Sequence, residues 1–202
     1  ILMVGFNRRF SPLVQQLKSF LEDTKDFKSF VYTINSGFIN PEHWIQNPEI
    51  GGGRFLGEAC HFIDLIKYLV DQPIISLDVN FASDINKMND TFIINLSFKD
   101  GSIGSINYYS NGHKSYPKEN LEVFSSGKIF KLNNFRSLSA WGQRGFSRNK
   151  LLKQNKGQIE CAASFVHAIN SSTTSPIDFA DIYEVHYFLI NALCNSKEKS
   201  IH

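Results

Sequence analysis

Residues 91–110, TFIINLSFKDGSIGSINYYS, alternate apolar and polar side chains across a turn signal. Phe92, Ile94, Leu96 and Phe98 fall between Thr91, Ile93, Asn95 and Ser97, which is the two-residue period of a strand with one buried face. Asp100-Gly101 then marks a hairpin turn, so the stretch predicts an antiparallel pair. Upstream, IISLDVNFAS (74–83) carries a further strand pattern, and downstream LEVFSSGKIFKL (121–132) repeats the hairpin with Ser126-Gly127 at its turn. Residues 27–38, rich in aromatic and β-branched side chains, predict one more strand.

Helical patterns flank this block. Ser11-Pro12 places a capping residue before a proline at the first helical position, and Leu13, Leu17, Phe20 and Leu21 follow at helical spacing until about Asp23 or Thr24. Two more patterns close the chain, from about Gly157 to Asn170 and from about Ala180 to Cys194, with SSTTSP between them. Strands in the middle and helices on either side predict an α+β fold: an open, largely antiparallel, mixed sheet with helices packed on one face. The other face must be solvated or paired, and Ile93 and Ile103 on it suggest a homo-oligomer interface.

Composition narrows the class. A chain of 202 residues with 42% hydrophobic content builds one sizeable core, and a net charge of +2 disfavours a nucleic-acid binder as well as an acidic disordered segment. Between Val123 and Ile159 there is no acidic residue but eight basic ones, which fits either a solvated loop or a surface facing an anion. Cys60, Cys161 and Cys194 are odd in number and far apart, as expected of reduced thiols. Without a long apolar run or a secretory signal, a cytoplasmic protein with no membrane partner is expected. ILMVGF at the start reads as the end of a buried strand belonging to a preceding domain, which makes 1–10 a junction and 11–202 the domain proper.

The chemistry concentrates in residues 51–61, GGGRFLGEACH, followed by FIDLIKYLV. Three glycines permit close backbone approach at the start of a helix, where N–H groups lack partners and a ligand can come near. Glu58, His61 and Asp64 recur every three residues, so Asp64 is placed to hold the imidazole of His61 in one tautomer. The same spacing also describes a solvated helix edge. No HExxH or paired CxxC is present, so no metal is expected.

Three segments carry a family resemblance: VGFNRRFSP, HWIQNPEIGGGRFLGEACHFID, and NKGQIECAASFVHAI with SPIDFADIYEV. In this order and spacing they resemble the C-terminal domain of the Gfo/Idh/MocA oxidoreductases, which act on sugars, inositols and sugar nucleotides with NAD or NADP. The resemblance implies that His61 matches the catalytic histidine, but Gly57 stands where the family usually has Asp. Glu58 is no simple substitute, because one helical residue is about 100° of rotation.

The dinucleotide-binding GxGxxG turn and the Glu-Lys-Pro segment with the catalytic lysine have no counterpart here, so this chain alone is expected to bind no cofactor tightly. For the full-length protein, with its N-terminal Rossmann domain, the resemblance implies that a base takes a hydroxyl proton while hydride passes to the nicotinamide. His61 is assigned that base or relay role, titrating near the working pH. Asn7, Arg8 and Arg9 are candidates for cofactor contact; His43, Trp44, Arg54 and Glu58 are candidates for substrate binding, with Arg54 reaching an anionic group. Plain alternatives exist: Trp44 as a core anchor, and Arg8 or Arg9 as ion-pair partners of acids on the preceding domain. His113, His167 and His186 read as structural. Two other readings stay open: an NAD-using glycosidase of the same family, and a non-catalytic dimerisation or sugar-sensing module.

Overall fold

A computed structural model describes residues 1–22, 24, 26–47, 49–83 and 89–199. Eight strands form one open sheet: β1 (Ser29–Asn35), β2 (Ile74–Phe81), β3 (Phe92–Phe98), β4 (Ile103–Tyr109), β5 (Glu119–Ser125), β6 (Lys128–Asn133), β7 (Ser137–Trp141) and β8 (Arg148–Lys150). Their order is β2-β3-β4-β1-β5-β6-β7-β8, and among the described residues only the β1/β4 pair is parallel. Four helices accompany it: α1 (Pro12–Glu22), α2 (Gly53–Val70), α3 (Gln158–Asn170) and α4 (Phe179–Lys199). The α+β architecture is the one expected.

Both hairpins form for the reasons read in the sequence. At Ser126-Gly127 the φ angles are 48° and 73°, the double left-handed turn that matches strand twist. Residues 99–102 join β3 to β4, with Gly101 at φ 85° and its amide donating to the Phe98 carbonyl at 3.0 Å. One face of the sheet is core: Tyr32, Phe92, Ile94, Leu96, Ile106, Tyr108, Leu121, Val123, Phe130 and Leu138 are all buried against helical residues such as Phe62, Ile63, Ile66 and Leu17. On the opposite face, register aligns Ile103, Ser29, Phe124, Ile129 and Trp141 in one row across five strands. The four large apolar members of that row are 37–55% exposed.

Three local expectations are corrected. ILMVGF is not in a strand; Ile1 and Leu2 are exposed while Phe6 is fully buried. The hydroxyl of Ser11 does not cap α1 but donates to the Asn155 carbonyl at 2.7 Å. The basic run is no open loop: it builds β6, β7 and β8, and two of its cations are paired, Lys131 with Glu122 and Lys156 with Glu119. Among the described residues no helix is long and apolar enough to cross a membrane.

Candidate active site around the α2 helix

Helix α2 starts from a tight glycine turn. Gly52 and Gly53 have φ of 69° and 77°, and the Gly51 and Gly52 amides donate to the Asn47 carbonyl at 2.8 and 3.0 Å. Gly51 is pressed against the 3₁₀ turn Trp44–Gln46: a Cβ there would fall 2.4 Å from the Ile45 Cα. The close approach expected of the glycines is therefore made to the chain's own backbone rather than to a ligand. Ile45 also reaches toward Gly57, where a Cβ would make only ordinary contacts, 3.4 Å from the Gly51 carbonyl and 3.9 Å from the Ile45 side chain. Position 57 thus accepts a Cβ without displacing a neighbour.

Arg54 is 1% exposed and cannot reach an external anion. Its Nη1 donates to the Gly37 carbonyl at 2.7 Å, its Nε meets Glu58 Oε1 at 3.2 Å, and its guanidinium lies 5.0 Å from the Tyr108 ring centre. Arg54 and Glu58 consequently tie the start of α2 to the loop after β1. Trp44 is 60% exposed, so it is no core anchor. Its ring lies 5.7 Å from that of His43, whose Nδ1 accepts the Ile45 amide.

His61 sits one turn beyond Glu58 with its ring edge-on to Phe6 at 5.6 Å; His186 stacks on Phe6 at 5.8 Å. His61 Nδ1 is buried and has no hydrogen-bond partner among the described residues. Burial, and next the Arg8 charge, lower its pKa to about 4, so the imidazole does not titrate near neutrality as expected from the sequence. Nor does Asp64 orient it. Asp64 is fully buried and takes both Nε and Nη2 of Arg9, the Nε at 3.1 Å.

The junction residues turn inward. Arg8 grips Glu119 through Nε at 2.8 Å and Nη2 at 3.0 Å, its guanidinium 4.7 Å from the Phe62 ring centre. Asn7 donates to the Lys156 carbonyl at 2.7 Å. The Tyr32 hydroxyl and Lys156 Nζ complete the shell of Glu119, each at 2.5 Å. Burial pushes the Glu119 carboxyl up, but the Arg8 and Lys156 charges outweigh it and hold it down at about 2. Asn7, Arg8 and Arg9, the candidates for cofactor contact, thus each have a partner within this chain. Sequence reading missed Glu119, Tyr32 and this hub, because Arg8 and Glu119 lie 111 residues apart and only tertiary folding joins them. Burial also raises the Cys60 thiol to about 11, which leaves it unreactive near neutral pH.

Comparison with known proteins agrees with this architecture. The profile of the GFO/IDH/MocA C-terminal domain matches residues 26–131, just over half of the chain. A myo-inositol 2-dehydrogenase of Thermotoga maritima is 29% identical over 141 residues, covering 64% of this chain and 40% of that protein. Among solved structures, a levoglucosan dehydrogenase in complex with NADH and levoglucosan superposes with a TM-score of 0.83 at 22% identity, over 98% of this chain and 64% of the other. An aldose-aldose oxidoreductase of Caulobacter crescentus does so with a TM-score of 0.79 at 15% identity, over 98% and 62%. The chain spans about two fifths of the curated relative and under two thirds of these structures. The fold and the matching profile give one conclusion: this chain belongs to the GFO/IDH/MocA family, as its C-terminal domain.

Proposed function

We propose that this chain is the substrate-binding and oligomerisation half of an NAD(P)-dependent oxidoreductase acting on a sugar, an inositol or a sugar nucleotide. The observation that carries the reading is His61: a half-buried imidazole at the family's histidine position, its Nδ1 unpartnered, kept neutral at pH 7 by burial and Arg8. A neutral imidazole can take the proton of a substrate hydroxyl, here through the ring nitrogen other than the buried Nδ1. Glu58, held by Arg54, fixes the polar wall one turn away, and exposed Trp44 offers an apolar face to a sugar ring.

A nicotinamide cofactor, when bound, accepts the hydride in such chemistry. The resemblance assigns its binding to an N-terminal Rossmann domain, while Asn7, Arg8 and Arg9 have partners within this chain. The exposed row Ile103, Phe124, Ile129 and Trp141 is the surface proposed for self-association, and a Phe124→Glu/Trp141→Glu variant should elute as a smaller species in light-scattering chromatography.

The test is NADH formation by the full-length protein with NAD⁺ or NADP⁺ and a panel including myo-inositol and levoglucosan. His61→Ala should cut kcat by about 100-fold or more with the fold intact. Unchanged turnover would remove His61 from the chemistry. Gly57 favours one rival, a non-catalytic sugar-sensing module; sugar binding without NADH formation on any substrate would establish it.

A further inference from the structure

The loop that joins β4 to β5 is pinned on both sides of one dipeptide. On the β4 side Ser110 is buried; its Oγ donates to Asp90 Oδ1 at 2.9 Å and lies 2.7 Å from the Thr91 hydroxyl. On the other side Asn35 Nδ2 donates to the His113 carbonyl at 2.8 Å and to the Tyr116 carbonyl at 3.3 Å. Asn111 and Gly112 lie between these anchors, both exposed. Among the described residues, neither the Asn111 side chain nor the Gly112 N–H makes a hydrogen bond.

That combination is chemically reactive. Asparagine loses ammonia when the backbone nitrogen of the next residue attacks its side-chain carbonyl carbon, a step that a Cβ on the next residue hinders and glycine leaves open. Asn111 is the one asparagine in the sequence followed by glycine; the others precede residues that carry side chains. The comparable pair Asp100-Gly101 is protected. Its Gly101 amide donates to the Phe98 carbonyl at 3.0 Å, and the Asp100 carboxylate accepts from the Ser102 amide and hydroxyl, each at 2.9 Å. At Asn111-Gly112 water and hydroxide have access, and no hydrogen bond of the reacting groups has to break before they meet.

We propose that Asn111-Gly112 is a site of spontaneous deamidation, whose isoaspartyl product releases the β4–β5 loop from β1. Hydroxide takes the Gly112 amide proton, the nitrogen bonds to Asn111 Cγ, and the Cγ–Nδ2 bond breaks as ammonia leaves with a proton from water. Water then adds to one carbonyl of the resulting cyclic imide and opens it, giving aspartate or isoaspartate at this position. Isoaspartate routes the backbone through the former side chain, adding one carbon and about 1.5 Å of covalent length between Ser110 and His113. The loop cannot absorb that length toward β1, because Gly112 already abuts Asn35: a Cβ there would lie 1.9 Å from Asn35 Oδ1. Displaced outward, the His113 carbonyl leaves hydrogen-bond range of Asn35 Nδ2, from 2.8 Å now. The other anchor borders the candidate site, since Asp90 Oδ2 lies 4.0 Å from Arg54 Nη1.

Peptide mapping of the 202-residue chain, aged at neutral and at mildly alkaline pH in heavy-oxygen water, tests the proposal. Asn111 should convert first among the asparagines, faster at the higher pH, with heavy oxygen incorporated and most of the product accepted by an isoaspartyl methyltransferase. Its rate in the folded chain should lie within about tenfold of that in the urea-unfolded chain, and Asn111→Gln, which needs a larger ring, should slow conversion at this position about tenfold or more. The isoaspartyl form should lose hydrogen-exchange protection at the Asn35 and Ser36 amides, which donate to the Lys118 and Tyr109 carbonyls at 2.8 and 2.9 Å. Freshly prepared Asn111→Asp, which adds the charge without the extra carbon, should keep that protection. Conversion more than about tenfold slower in the folded than in the unfolded chain, another asparagine converting as fast, or full protection in the isoaspartyl form would each overturn the proposal.

Discussion

Replacing Glu119 by Gln tests the hub that anchors residues 7–10 to the sheet. The carboxylate receives two hydrogen bonds from Arg8, one from Tyr32 and one from Lys156, and is 1% exposed. Glutamine keeps the shape but removes the charge, and its NH₂ must face donors where an oxygen stood. Two routes give the cost. Stripping one partner from a buried ion pair costs about 3–5 kcal/mol. The carboxyl's shift from 4.5 to about 2, at about 1.4 kcal/mol per unit, gives about 3 kcal/mol. Urea unfolding at pH 7, with a slope of about 2–3 kcal/mol/M for a chain of this size, should show the midpoint fall by about 1–2 M. Because the folded pKa is depressed, this stability is complete above about pH 4.5 and is lost as pH falls towards 2, so the wild-type and variant midpoints should converge there. A midpoint loss under about 0.3 M at pH 7, or a difference that does not shrink in acid, would refute the account.

Three further outcomes are expected. The His61 ring, followed by NMR, should titrate near 4 rather than 6.5, contributing stability that is whole above pH 6.5 and erodes as pH falls towards 4; a midpoint above 6 would mean that burial and Arg8 do not govern it. Gly157→Ala should destabilise the chain by about 3 kcal/mol, since φ is +82° and the new Cβ would sit 2.4 Å from the Asn7 carbonyl oxygen; a thermal midpoint within 2 °C (about 1 kcal/mol) of wild type would contradict that packing. Gly57→Asp should be neutral or stabilising by up to about 1 kcal/mol, because a Cβ there meets only ordinary contacts and a carboxylate near the start of α2 is favoured; a loss above about 1 kcal/mol in chemical denaturation would show that Ile45 excludes it.

The glycine turns show how local signals survive into the fold. Ser126-Gly127 and Asp100-Gly101 specify hairpins through backbone angles that few other residues adopt, so short windows of sequence sufficed. The helical stripe of α2 was equally legible, because periodicity alone decides which face is buried. β7 and β8 were not: five- and three-residue strands in a basic, turn-rich run offer no period to read, and exist because β6 supplies an edge for β7 and β7 in turn supplies one for β8.

The candidate site divides the same way. Sequence placed His61 and Glu58 on one helix and exposed the gap at Gly57, since residue identity and helical spacing are local facts. It offered Arg8 and Arg9 as cofactor contacts or as ion-pair partners of a preceding domain, Arg54 as reaching an anion, and Asp64 as the partner of His61 or part of a solvated edge. The tertiary structure alone decided that these charges neutralise one another: Arg9 takes Asp64, Arg8 takes Glu119, and Arg54 takes Glu58 and a loop carbonyl. The reason is physical. A buried charge must find its opposite wherever folding brings one, and the partners of Arg8 and Arg9 lie 111 and 55 residues away, a pairing set by sheet order and helix packing that no local pattern encodes.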